Sequence, residues 1–284
     1  MEPSFLMRDD DHIAPSSRSI VLLHAGRTDR VALLFHGMSA SPRQLIRYAQ
    51  SLHEAGYNVL VPRLPAHGHI DRMSPALAYL TAERLTACSL RSLAWARSLG
   101  QRVLVAGFSL GGVLAAWIAQ HEAVDHAVPI APFFGVAVMS QRRFDIVAQL
   151  ALWCPNRFLW WDRGLRERLG PAHGYPRFST HGMARAYRFG RSIFADAALQ
   201  APATRRITLV SNLNEIGVDN RAIARLAALW RGHGAWVDEV SIEGLPPSHD
   251  IIEPERSSGL AQLAFAQVLR TLDQLPSAGA ESAG

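Results

Sequence analysis

Short runs of consecutive apolar residues alternate along the chain with longer stretches in which apolar positions recur every three or four residues. The continuous runs predict buried strands, and the spaced pattern predicts amphipathic helices. Predicted strands cover residues 19–24, 31–35, 57–61, 103–106, 127–131, 207–211 and 236–242. Predicted helices cover residues 41–55, 75–98, 110–121, 220–231 and 257–274. Strands that alternate with helices in this way form a mostly parallel sheet with helices on both faces, which is an α/β fold.

One helix start carries a specific local signature. Ser41 is followed by Pro42 and Gln44, which suit an N-cap serine, a proline at the first helical position and a glutamine placed for a capping box. The sequence therefore predicts that a helix begins at Ser41 and runs to about Ala55.

One predicted strand breaks at Gly107-Phe108-Ser109-Leu110-Gly111 and runs directly into an apolar helix. A G-x-S-x-G motif between a strand and a helix is typical of a nucleophile elbow, in which a strained turn exposes the serine hydroxyl. A β-carbon at Gly107 or Gly111 would collide with the neighbouring backbone where strand and helix nearly touch. We therefore predict that Ser109 is a catalytic nucleophile.

A serine nucleophile needs a base to remove its proton and an acid to orient that base. His249 lies in the loop between the last predicted strand and the last predicted helix, at the sheet edge where Ser109 also lies. The loop after residues 207–211 offers two acids, Glu215 and Asp219. Asp219 directly precedes an apolar-periodic helix, as an N-cap residue does. Glu215 is therefore the preferred acid, and Asp219 is the alternative.

Two backbone N–H groups near the serine are candidates for an oxyanion hole. Leu110 begins the helix after the serine, and Met38 follows His36-Gly37 at the end of a neighbouring predicted strand. We interpret the side chain of His36 as structural.

A second polar loop contains His67, His69 and Asp71. Two histidines and one carboxylate without a further cluster of ligands are weak evidence for a metal site. We therefore predict an ordinary loop here, and neither a metal ion nor a cofactor.

The composition predicts a folded protein, because 49% of the 284 residues are hydrophobic and no stretch is apolar enough to span a bilayer. The amino-terminal segment lacks the basic start and apolar run of a secretory signal, so we expect a cytoplasmic protein with Cys88 and Cys154 as free thiols.

The net charge of +5 comes from residues 133–200, which hold ten arginines and four acidic residues. These arginines do not form a phosphate-tracking stripe, and we expect no nucleic-acid partner.

Four motifs occur in a fixed order along the chain. They are Leu34-Phe35-His36-Gly37-Met38 with Ser39-Ala40-Ser41-Pro42, Arg63-Leu64-Pro65-Ala66-His67-Gly68, Gly107-Phe108-Ser109-Leu110-Gly111-Gly112 and Ser248-His249-Asp250. Together they resemble the α/β-hydrolase superfamily, above all its bacterial carboxylesterase, monoacylglycerol lipase and serine aminopeptidase branch. The resemblance implies Ser109 as nucleophile, His249 as base, and the N–H groups of Leu110 and Met38 as oxyanion donors.

The chain departs from that branch at the acid. The usual G-x-x-D-x-x-V pattern is replaced by Asn212, Glu215 and Val218 at the matching places. Glutamate keeps the charge that the base requires.

The resemblance also implies a domain organisation. Residues 1–132 and 201–276 would form an α/β-hydrolase core, residues 133–200 a helical cap inserted after the strand that follows the elbow, and residues 277–284 a disordered tail. Aromatic residues crowd the cap. Four of them, Phe133, Phe134, Trp160 and Trp161, are predicted to bind substrate, with the alternative that they hold the cap on the core.

Site and resemblance together predict hydrolysis of carboxylic esters of moderately apolar acids through an acyl-Ser109 intermediate, with a small-molecule ester as partner. The same groups serve amide hydrolysis, as in the aminopeptidase relatives, and acyl transfer, so both stay open. A non-catalytic binding protein on the same fold is the alternative from a different class. A homodimer also stays open.

Overall fold

The computed structural model of the chain describes residues 11–161, 173–247, 249, 251–252 and 258–273. Its strands are β1 Ile20–Leu22, β2 Thr28–Phe35, β3 Tyr57–Val61, β4 Gly100–Phe108, β5 His126–Ile130, β6 Phe158–Trp160, β7 Arg177–Ser179, β8 Arg206–Asn212 and β9 Trp236–Ile242. Seven of them form one sheet in the order β1-β3-β2-β4-β5-β8-β9. β1 runs antiparallel to β3, and the other neighbours in this sheet are parallel. The predicted mostly parallel sheet is confirmed.

Helices flank this sheet. They are α1 Ile46–Glu54, α2 Ala82–Leu99, α3 Leu110–His121, α4 Gln141–Trp153, α5 Thr180–Leu199, α6 Asn220–Gly232 and α7 Ser258–Leu272. α1 packs on β1 and β3 and contacts α7, whereas α2 and α3 pack on β2 and β4 and contact each other. Every residue of β3 and β5 is buried, as expected for strands covered on both faces.

The turn at Ser109 has the geometry that its sequence predicts. β4 ends at Phe108 and α3 begins at Leu110, so Ser109 alone makes the turn, with φ 57° and ψ −111°. Non-glycine residues rarely adopt a positive φ, and such strain is typical of functional sites. A β-carbon on Gly107 would overlap the backbone of Gly111, and one on Gly111 would overlap the carbonyl of Phe35. The two glycines therefore allow the strand and the helix to touch.

Two α-helices begin later than the pattern predicts. Residues 76–79 form a short 3-10 helix, and α2 begins at Ala82 after Thr81, whose side chain accepts a hydrogen bond from the N–H of Arg84. Residues 42–45 likewise form a 3-10 helix before α1.

The predicted capping box at Ser41 is wrong, because both of its side chains have partners elsewhere. Ser41 Oγ lies 3.0 Å from His173 Nδ1, and Gln44 Oε1 accepts a hydrogen bond from the N–H of Gly37. Tertiary partners have replaced the local cap.

The chain between β5 and β8 forms α4, an antiparallel ribbon of β6 and β7, and α5. α4 packs against α5, which also packs against α3 and α6. The ribbon was not predicted, because its three-residue strands are too short to show a pattern.

The predicted domain boundaries stay predictions, and the tail at 277–284 lies outside the described residues. Among the described residues, no helix is both long enough and apolar enough to span a bilayer.

Candidate active site

Ser109, His249 and Glu215 form one series of hydrogen bonds. His249 Nε2 lies 2.8 Å from Ser109 Oγ, and His249 Nδ1 lies 2.9 Å from Glu215 Oε2. An ionised carboxylate accepts hydrogen bonds but donates none, so Nδ1 carries the ring proton in the neutral imidazole. The lone pair of Nε2 then faces the serine hydroxyl, where a base must lie to remove its proton.

The two acids that the sequence offers have different partners. The side chain of Glu215 is fully buried, and its second oxygen accepts a 2.6 Å hydrogen bond from the N–H of Gly217. Asp219 instead caps α6, where its Oδ1 accepts from the N–H and the Nε of Arg221. Of the two, the structure brings Glu215 to His249.

Gly217 is a site residue that the sequence analysis missed. A β-carbon on this glycine would stand 2.9 Å from Glu215 Oε1 and 2.9 Å from His249 Cβ, closer than β-carbons pack. On another side of the imidazole, Phe108 stacks at a ring distance of 4.9 Å. Gly217 therefore lies against both the acid and the base, and Phe108 packs on the base.

The two predicted oxyanion donors lie at the same cavity as Ser109. The N–H of Leu110 has no intrahelical partner, because Leu110 is the first residue of α3. Met38 lies between two residues whose N–H groups are fixed: Gly37 donates to Gln44 Oε1 at 2.8 Å, and Ser39 donates to His67 Nε2 at 3.2 Å. Neither the Met38 N–H nor the Leu110 N–H donates to any group that the structure describes. Both remain available to a ligand.

Two buried histidines hold the loops beside Met38. His36 Nδ1 donates to the carbonyl of Gly37, while its Nε2 accepts from the N–H of Leu64. His67 Nδ1 donates to the carbonyl of Pro65, while its Nε2 accepts from Ser39. Each ring must be neutral to accept, and burial enforces this, since it lowers the pKa of His67 to about 4 and the pKa of His36 well below its ordinary value.

These bonds give His36 the structural role expected for it. They also assign both ring nitrogens of His67, which the sequence predicts to belong to an ordinary loop with His69 and Asp71. In that loop the N–H of His69 donates to the Tyr175 hydroxyl, and Asp71 Oδ1 accepts from the N–H of Met73. These hydrogen bonds connect the loop to Tyr175 and to its own backbone.

A cavity of about 240 Å³ opens above Ser109. Phe133 and Trp161, two of the four aromatic residues predicted to bind substrate, line this cavity. Met183 and Ala186 of α5 also line it, although no sequence pattern pointed to them.

The other two aromatic residues predicted to bind substrate, Phe134 and Trp160, are not among the residues that line this cavity, and their role stays a prediction. Phe134 is fully buried and packs edge to face on Phe194 at 5.1 Å. Trp160 belongs to β6 and is half-buried. In the two-stranded ribbon Trp160 is paired with Arg177 of β7, whereas Trp161 follows the end of the strand.

Comparisons with known proteins agree with this architecture. A family model described as the alpha/beta hydrolase family matches residues 20–279. A thermostable monoacylglycerol lipase of Bacillus sp. (strain H-257) is 32% identical over 91 residues, which are 32% of this chain and 35% of that protein. The match thus spans about a third of that relative's length.

Solved structures share the fold at low sequence identity. A metagenome-derived lipolytic enzyme from a study of LipS and LipT is 17% identical with a TM-score of 0.67, over 91% of this chain and 99% of that chain. A soluble variant of monoglyceride lipase from Saccharomyces cerevisiae is 14% identical with a TM-score of 0.68, over 90% of each chain. Because the family model covers every strand of the sheet, its flanking helices and the elbow serine, the chain belongs to the alpha/beta hydrolase family.

Proposed function

We propose that the protein is a serine hydrolase that cleaves carboxylic esters of moderately apolar acids through an acyl-Ser109 intermediate. The single observation that carries this proposal is the position of His249, whose two ring nitrogens contact Ser109 and Glu215. A serine, a neutral imidazole and a buried carboxylate in this order are the groups that activate a hydroxyl for attack.

In the first half of the reaction, His249 Nε2 takes the proton from Ser109 Oγ as the oxygen attacks the ester carbonyl carbon. The negative charge that develops on the carbonyl oxygen is stabilised by the N–H groups of Met38 and Leu110. The C–O bond to the alcohol then breaks, and His249 gives its proton to the leaving oxygen. Glu215 stabilises the imidazolium form of His249 throughout.

In the second half, water enters and the roles repeat. His249 takes a proton from the water as its oxygen attacks the acyl carbon, and the same two N–H groups hold the charge. Breaking the bond to Ser109 Oγ releases the acid, and the serine regains its proton from His249.

The preference for apolar acids rests on the cavity wall. Phe133, Trp161, Met183 and Phe108 supply apolar surface beside Ser109, and burying an acyl chain against such surface is favourable. Several of the similar proteins are described as lipases or lipolytic enzymes, which supports an ester rather than an amide substrate.

The test is an activity screen on the purified protein. We expect turnover of p-nitrophenyl esters of short and medium acids, little turnover of aminoacyl p-nitroanilides, and no turnover of either by Ser109→Ala. Faster cleavage of the anilides would identify an amidase or aminopeptidase. Product that carries the acyl group on an added alcohol would identify an acyltransferase, and no turnover of any substrate would favour a binding protein.

A further inference from the structure

Gln44 is a buried polar residue in the cavity wall that the steps of ester cleavage do not use. It is 5% exposed and lines the cavity together with Ala40 and His173. Its Oε1 accepts a 2.8 Å hydrogen bond from the N–H of Gly37. Because an N–H can only donate, the atom that faces Gly37 must be the carboxamide oxygen, and the amide nitrogen points elsewhere. Nε2 takes part in none of the hydrogen bonds that join the described residues.

The carboxamide lies close to the nucleophile. Gln44 Oε1 and Ser109 Cβ stand 3.3 Å and 3.5 Å from the point that a β-carbon on Gly37 would occupy. Gly37 follows β2, whereas His249 follows β9. In the sheet, β2 and β9 lie on opposite sides of β4, which leads to Ser109. Gln44 therefore approaches Ser109 from the side opposite His249.

This placement decides which part of an ester meets Gln44. The leaving oxygen takes its proton from His249 Nε2, so the alcohol lies on the side of His249. The carbonyl oxygen lies between the N–H groups of Met38 and Leu110. The acyl group takes the remaining direction, toward Gln44. Gln44 borders the cavity, and its Nε2 has no acceptor among the described residues, so an acceptor atom in the acyl group can take its hydrogen bond.

We propose that Gln44 is a substrate-binding residue whose Nε2–H donates a hydrogen bond to an acceptor oxygen, such as an ether oxygen, in the acyl group of the ester. An alkoxyacetyl ester carries such an ether oxygen. This inference rests on the proposed ester hydrolysis and deepens it, because it adds a preference for acyl groups that bear an acceptor oxygen. The same residue holds Gly37, and through it the position of Met38.

The test compares two esters that differ in one atom. p-Nitrophenyl methoxyacetate has an ether oxygen where p-nitrophenyl butyrate has a methylene group. The quantity measured is the ratio of kcat/KM for the methoxyacetate to kcat/KM for the butyrate. The intrinsic reactivity of each ester is the same for every variant, so it does not affect a comparison of this ratio between variants. The fraction of active enzyme multiplies both kcat/KM values and therefore cancels in the ratio.

Gln44→Met removes the donor while keeping the length of the side chain, and we expect the ratio to fall about fivefold from the wild-type value. Gln149→Met makes the same chemical change on α4, outside the cavity lining, and should leave the ratio unchanged.

Gln44→Glu separates binding from the support of Gly37. At alkaline pH its carboxylate still accepts from the N–H of Gly37 but has no proton to donate. We expect Gln44→Glu to be more active on the butyrate than Gln44→Met is. The ratio of kcat/KM values should fall in Gln44→Glu by the same factor as in Gln44→Met. An unchanged ratio in Gln44→Met would overturn the proposal for Gln44. Failure of the wild type to cleave either ester would overturn ester hydrolysis itself and the proposal with it.

Discussion

Gly217 and His249 are so close that a β-carbon on the glycine would stand 2.9 Å from the Cβ of the histidine. The same added atom would stand 2.9 Å from Glu215 Oε1, which accepts a hydrogen bond from the N–H of Gly217. One small residue thus lets the acid and the base approach each other from two different loops.

Gly217→Ala should therefore damage activity more than folding. The added methyl group pushes on His249 and Glu215, and displacing a catalytic group by about 1 Å can cost about a hundredfold in rate. The measurement is kcat/KM on an activated ester beside the melting temperature. Gly232→Ala is the matched control, because a β-carbon there meets nothing within 4 Å. Wild-type activity in Gly217→Ala would show that the described packing of His249 is wrong.

Neutralising the acid should slow turnover and leave the fold intact. Glu215→Gln keeps the shape of the side chain but no longer stabilises the imidazolium of His249, so we expect kcat to fall by about a thousandfold or more. Glu215→Asp should be partly active, since the shorter side chain leaves the carboxylate further from His249 Nδ1.

Asp219→Asn is the control for the acid, because asparagine also caps helices. This variant should retain most of its activity. Its free energy of unfolding should fall by at most about 1 kcal/mol, because asparagine loses the ion pair with Arg221. If Asp219→Asn abolishes turnover while Glu215→Gln does not, the acid has been assigned to the wrong residue.

Trp161 should influence the choice of acyl chain more than Trp160 does. Trp161 lines the cavity and packs on Phe178 at 4.5 Å, whereas Trp160 lies outside the lining. Trp161→Ala should shift the preferred ester toward longer chains, because it enlarges the cavity. Kinetics on p-nitrophenyl esters of graded length measure this shift, with Trp160→Ala as the matched control. Equal profiles for both variants would contradict the role of Trp161.

Acid should destabilise the fold through His67. Burial lowers the pKa of His67 from 6.5 to about 4 in the folded protein, so between these pH values the unfolded chain binds the additional proton. The contribution is fully present above about pH 6.5 and is lost as the pH falls toward 4, on the order of 3 kcal/mol in total.

Melting temperatures measured from pH 7 to pH 4 test this expectation. His67→Gln keeps an acceptor for Ser39 and a donor for Pro65 without a titrating ring. It should lose less stability than the wild type over this pH range. The same loss in both proteins would show that His67 does not contribute to the acid sensitivity.

Much of the fold and of the site could be predicted because the signals were local. The unbroken apolar runs of β2 and β3 mark buried strands, and the glycines around Ser109 reflect a contact within one strand–turn–helix unit. Asp219 directly precedes α6, so its capping role could be predicted from neighbouring residues. Its exclusion left Glu215 as the preferred acid.

The features that were missed depend on contacts between distant residues. Gln44 has a suitable local role as part of a capping box, but it bonds to Gly37 across a turn. His67 lies far along the chain from Ser39, but its Nε2 accepts a hydrogen bond from the N–H of Ser39. Phe133 and Phe134 are identical in type, but Phe133 lines the cavity whereas Phe134 packs on Phe194 of α5, a residue 60 positions away in the chain.

The most direct test of the proposed chemistry is covalent labelling by a fluorophosphonate, followed by intact-mass analysis and peptide mapping. Such a reagent reacts rapidly with a serine whose proton is removed by a neighbouring base. We predict one adduct per chain in the wild type, located on Ser109, and none in Ser109→Ala. Labelling of Ser109→Ala at the wild-type rate, or no adduct in the folded wild type, would contradict the assignment of Ser109 as an activated nucleophile.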